Sequence, residues 1–269
     1  MMRKHSGTAL AVPGAKWKPY HTLALIGILS LVFFATWTST SALRLWSWLT
    51  FMSLLTMLVL LIGYGVTGLW LGVLIDSRNK VSLSRFQMLL WTILILSSFL
   101  SAVLSNIEQG AVEPLAIGIP AELWLLMGIN TVSLIGSPLI LNAKKRRSAD
   151  ETEKSHALEM LARQAVDISR VMIHGQVVLN QTPEAARLSD MFRGSETGNA
   201  GQLDIGKLQM FLFTLILFLA YSTTLASLLS QGTTVIQQLP APDSGMLTLL
   251  GISHTGYLVN KALPHSSKQ

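Results

Sequence analysis

The chain contains no cysteine, and only 13% of its residues are charged. Without cysteine there is no disulfide, no thiolate metal site and no cysteine nucleophile, although the compartment stays open. Scarce charge excludes an ordinary soluble domain. Half of the 269 residues are hydrophobic and the mean hydropathy is +0.49, so the chain belongs in a bilayer. Acids are scarcer than bases, which leaves a net charge of +6. That excess does not point to nucleic acid, because Lys and Arg cluster beside apolar runs as membrane topology requires. Signatures of catalysis are missing too. The glycine-rich stretch 193–201 lacks the Gly-Lys-Ser/Thr of a phosphate-binding loop and reads as a connector. Glu108, Glu113, Glu122 and Asp243 show no Asp-Xaa-Asp spacing and read as a solvated face. No enzyme activity, cofactor or metal is expected.

What is present is a repeat. Residues 84–110 return at 206–232, about 122 residues on: Arg85 aligns with Lys207, Gln87 with Gln209, Met88 with Met210 and Thr92 with Thr214. The second halves match as well, Pro120 through Asn130 paralleling Pro240 through Ser253. Each unit reads as a hairpin of two apolar helices. Because both copies begin with a basic residue, the duplication is parallel, with both units starting from the same side.

Taken in order, residues 1–21 form a basic tail and residues 22–80 a leading transmembrane hairpin. Its first span, 22–42, has a cleaved signal peptide as its competing reading. The second, 47–75, carries Gly68 and Gly72 as a small-xxx-small pair suited to close helix packing, or as ordinary membrane glycine. Residues 81–141 are the first repeat hairpin, 142–203 a polar segment, and 204–269 the second hairpin and tail. The fold class is therefore an all-α polytopic bundle of about six spans with a helical insertion. Of the 20 Lys and Arg, all but Arg44 fall in the tail, the turn before the first repeat, the polar segment or the C-terminal end. That asymmetry places both termini and the insertion in the cytoplasm.

Within the insertion, Ser148 and Glu151 have capping-box spacing, and Leu158, Leu161, Ala165, Ile168 and Met172 mark an apolar helical stripe. Asp150 with Lys154 and Glu159 with Arg163 have the spacing of favourable ion pairs. A hairpin around Gly175 follows, then a short helix opened by Thr182-Pro183-Glu184 and running toward Phe192. The stripe needs cover, either from a protein partner docking through 142–203 or from the bilayer surface beside the Lys144 to Arg147 cluster.

Six residues are candidates for a binding site. Arg85, Gln87, Lys207 and Gln209 would ring a shared vestibule, or else act as duplicated anchors that set helix depth. Ser84 with Gln87, and Asp204, have capping spacing at the two helix starts. His254 is the ionisable residue near a span centre and aligns with the region of Asn130. It reads as a relay or as a neutral bridge between helices. A Ser253-His254 nucleophilic pair is excluded, since adjacent positions point to different helix faces.

The phrases Ser-Leu-Ser-Arg-Phe-Gln-Met-Leu-Leu-Trp-Thr from 82, Ile-Gly-Ser-Pro-Leu-Ile from 135, Asp-Met-Phe-Arg-Gly from 190 and Leu-Leu-Gly-Ile-Ser-His-Thr-Gly-Tyr-Leu from 249 carry a resemblance. They resemble a family of uncharacterised bacterial multi-pass membrane proteins. The resemblance implies a bacterial inner membrane location and brings no activity with it. The expected function is a membrane scaffold or accessory subunit, with a small channel or transporter as the alternative. Lipid, a cytoplasmic protein and a second copy in a homo-oligomer are the expected partners.

Overall fold

The computed structural model describes residues 17–39, 43–231 and 235–266. The basic tail through residue 16, the end of the first expected span at 40–42, where a signal peptide would be cleaved, and Gly232 lie outside them. Long apolar helices dominate, because in lipid each backbone donor and acceptor has to be satisfied within its own segment. The chain runs α1 (Pro19–Trp37), α2 (Arg44–Thr67), α3 (Leu83–Glu108), α4 (Ala121–Lys145), α5 (Glu151–Arg163), β1 (Val171–His174), β2 (Val177–Asn180), α6 (Ile205–Ser230) and α7 (Ser244–Ala262).

Five helices, α1 to α4 and α6, are long and apolar enough to cross a membrane. Their outward faces carry exposed Phe33, Phe34, Trp46, Leu139 and Ile216, as lipid contact requires. This is a membrane protein. The expected sixth span, α7, has 19 residues like α1, but His254, Asn260 and Lys261 dilute its apolar character and it falls short of the other five.

Helix α3 packs on α4, α4 on α7, α7 on α6 and α6 back on α3, so the two hairpins close a four-helix ring. Each helix of one hairpin thus lies beside its counterpart in the other. The loops agree, since Gly118 pairs in parallel with Gln238, and Asn106 exchanges hydrogen bonds with the backbone of Ile236. Helix α2 packs on α3 and α6, and α1 lies outermost on α2. Trp48, Trp91, Leu94, Leu126, Leu217 and Leu250 fill the centre.

The second span ends sooner than its apolar run. Gly68 adopts a left-handed conformation (φ 76°), caps α2 and turns the chain into a 3-10 turn at Gly72–Leu74. Gly68 and Gly72 therefore do not form a helix-packing pair. Glycine at 72 allows the turn instead, because a Cβ there would overlap Thr67 Oγ1.

The insertion folds around its own small core of Leu161, Val178 and Ala200. Helix α5 is capped by Asp150, which accepts from Thr152 N at 2.7 Å; Ser148 lies too early to cap a helix that starts at Glu151. Glu159 pairs with Arg163 as expected, whereas Lys154 takes Glu151 rather than Asp150. The hairpin around Gly175 forms, with Val171 opposite Asn180. The short helix expected after Thr182 is two 3-10 turns, Pro183–Ala185 and Leu188–Phe192, separated where Ala186 is extended.

Candidate functional site

The two repeat helices begin alike, the second on the expected Asp204 and the first on Ser82 in place of the expected Ser84. Ser82 caps α3 by accepting from Arg85 N, and Asp204 caps α6 by accepting from Lys207 N. Ser84, expected to cap, lies inside the helix. The capping residues are themselves counterparts in the repeat, so Gly206 opposite Ser84 costs the second copy nothing.

Beyond the caps the copies diverge. Gln87 is fully buried, and its Nε2 donates to Thr214 Oγ1 at 2.5 Å and to the Met210 carbonyl at 3.4 Å, tying α3 to α6. Gln209 is exposed. Arg85 is half-buried and reaches the Val73 carbonyl at 3.4 Å. Lys207 is buried and donates to the Arg193 carbonyl at 2.5 Å, with Asp204 at 4.0 Å. The four side chains do not ring one vestibule. Stacking the hairpins side by side puts Gln87 between them and leaves Gln209 on the outer face.

A polar seam joins α4 to α7. Ser133 Oγ lies 2.6 Å from His254 Nδ1, and Ser137 Oγ lies 3.2 Å from Tyr257 OH, which accepts from Lys261 Nζ at 2.5 Å. Nε2 of His254 is buried without a hydrogen-bond partner among the described residues. Asn130 is buried and turns its Nδ2 back to the Leu126 carbonyl of its own helix at 2.8 Å. Sequence reasoning found His254 and Asn130 but missed Ser133, Ser137, Tyr257 and Lys261. Their helical spacing along facing stripes was the available signal.

At the insertion end the polar groups lock together. Lys144, on the last turn of α4 where a cation suits the helix dipole, donates to Glu196 Oε1 at 2.6 Å and to the Leu263 carbonyl at 2.5 Å, with both charged side chains buried. Glu196 also accepts from His265 N, and Thr197 Oγ1 lies 2.7 Å from Ser266 Oγ. The glycine-rich stretch is therefore a clasp joining α4, the insertion and the C-terminal segment, where a connector was expected. A Cβ at Gly198 would collide with the His265 carbonyl.

A second clasp lies on the α2–α3 turn. Arg78 forks onto Asp76 and donates to Ser195 Oγ at 2.8 Å, while Asn79 and Asn180 exchange side-chain to carbonyl bonds. Burial works to raise the Asp76 carboxyl, but the Arg78 guanidinium outweighs it and holds the group below its ordinary value. Burial, and then repulsion from Arg78, pull the nearby Lys80 ammonium down to about 8.

The acids at the other end are dispersed, and among the described residues no group of three His, Cys, Asp or Glu could hold a metal. Asp243 caps α7 there by accepting from Met246 N. Compared with known proteins, the chain matches no family model, no curated protein and no solved structure.

Proposed function

We propose that this is a bacterial inner-membrane scaffold or accessory subunit, with both termini and the insertion in the cytoplasm, built on a duplicated hairpin. The matching caps at Ser82 and Asp204 and the pairing of Gly118 with Gln238 support the duplication. The observation that carries the function is the double clasp, Lys144 to Glu196 and Arg78 to Ser195, which fixes the insertion to the bundle. A fixed cap presents a surface in constant register with the spans, as docking of a cytoplasmic protein needs. The expected stripe is not one helix face, because α5 ends at Arg163, Ile168 lies in a 3-10 turn and Met172 in β1. Leu161 is consumed internally, whereas Ile168 and Met172 stay 46% and 45% exposed and offer the docking face.

A transport path between the hairpins is the second reading, favoured by the unpartnered Nε2 of His254 in the α4–α7 seam. One experiment separates the two. Ile168→Glu with Met172→Glu should release proteins that co-purify in mild detergent without lowering yield, and His254→Asn should leave them bound. Solute flux in vesicles that is lost with His254→Asn and kept by the double cap variant would overturn the scaffold.

A further inference from the structure

A cavity of about 460 Å³ lies between α3, α4 and the turn that leads into α3. Ligand pockets typically occupy about 300–1,000 Å³. Its chemistry is graded. At the insertion end the walls are Arg78 with Asp76, Ser82, Arg85, Asn142 and Lys145; deeper in they are Met88, Leu89, Leu134, Pro138 and Leu141, with the hydroxyl of Ser137 among them paired to Tyr257. Antiparallel packing explains the gradient, because α3 begins and α4 ends at the same level, so both walls become apolar in the same direction. From Lys145 down to Leu134 the α4 wall extends roughly 16 Å at a 1.5 Å rise per residue.

The charge at the mouth is unbalanced. Asp76 is engaged by the Arg78 fork, and among the described residues no salt bridge joins Arg85 or Lys145 to a carboxylate. Arg85 has one long hydrogen bond to a carbonyl. Ser84, buried along the same wall, adds a hydroxyl that makes no hydrogen bond to another described residue. An ordinary helix-packing cleft would be apolar throughout, and a site for a small inorganic anion would not need the apolar depth.

We infer that this cleft binds an anionic amphiphile, its phosphate held by Arg85 and Lys145 and its alkyl chain laid along Met88, Leu89, Leu134 and Pro138. Arginine grips a phosphate with two parallel donors, and lysine supplies the point charge beside it. Two sources share this chemistry, a phospholipid of the bilayer and a soluble alkyl phosphate.

The test uses the full chain in nanodiscs of phosphatidylcholine doped with phosphatidylglycerol, with bound lipid read by native mass spectrometry. Phosphatidylglycerol should be enriched by about tenfold over its bulk share, since phosphatidylcholine carries the same phosphate but adds a trimethylammonium that repels the Arg85 and Lys145 cations, a difference of the order of one charge-assisted contact. Arg85→Gln with Lys145→Gln should abolish the enrichment. Leu134→Trp, which fills the depth and leaves every charge in place, should expel the lipid as well, so the result does not rest on one variant. If no phospholipid is retained but dodecyl phosphate binds saturably and depends on Arg85, the site belongs to a soluble amphiphile. Equal retention of both lipids, or enrichment that survives both variants, overturns the proposal. So does inorganic phosphate that competes as well as dodecyl phosphate, because the chain would then contribute nothing.

Discussion

Replacing Glu196 with Ala should destabilise the protein by about 3–5 kcal/mol, because it leaves the Lys144 ammonium buried with no counter-charge. Both side chains are almost fully buried, at 1% and 2% exposure, so water cannot take over the lost partner. Glu196 also accepts from His265 N, so the variant loosens the C-terminal segment together with α4. Set against a total stability of about 5–15 kcal/mol, such a loss separates folded from largely unfolded protein in detergent. Glu196→Gln should cost less, since an amide oxygen still accepts from Lys144. The pair Lys144→Met with Glu196→Leu should also cost less than Glu196→Ala alone, because removing both charges removes the desolvation penalty with them. Thermal unfolding of the purified variants in one detergent would measure all three. A Glu196→Ala midpoint equal to that of the parent would show that the clasp contributes nothing.

Trp91→Ala should cost a similar amount, about 3–5 kcal/mol, by a different route. The ring has no exposure and sits between hairpins, 6.0 Å from Phe218 and 6.1 Å from Tyr221. Lipid tails are as apolar as the core, so transfer contributes little between helices and the loss is one of packing. No neighbour can collapse into the space without breaking the α3–α6 contact. Its indole Nε1 has no partner among the described residues, and Trp91→Phe should therefore retain most of the stability. Unfolding of both variants in the same detergent tests this, and equal losses for Phe and Ala would show that ring volume is not what the site requires.

Much of the bundle was legible because hydropathy and helix period act locally. The helices fall where apolar runs lie, and the hairpin around Gly175 and the Asp204 cap follow from near neighbours. Local rules failed where a turn competed with an apolar run. Residues 69–75 are apolar enough to continue a helix, yet Gly68 takes a positive φ and the chain turns. The candidate site failed for a different reason. Gln87 and Gln209 share a basic-Xaa-Gln-Met context, and the side-by-side stacking of the hairpins buries one and exposes the other. The clasp between Lys144 and Glu196 joins residues 52 positions apart, and no periodicity records it.

The bundle spans the membrane with its insertion on one side, and the absence of cysteine makes that directly measurable. Single cysteines placed at Val112, which is 97% exposed between α3 and α4, and at Ser155 on the outer face of α5 give one reporter for each end. In intact cells a membrane-impermeant maleimide should label Val112→Cys, and should reach Ser155→Cys only after permeabilisation. Labelling of both positions in intact cells, or of Ser155→Cys alone, would contradict it.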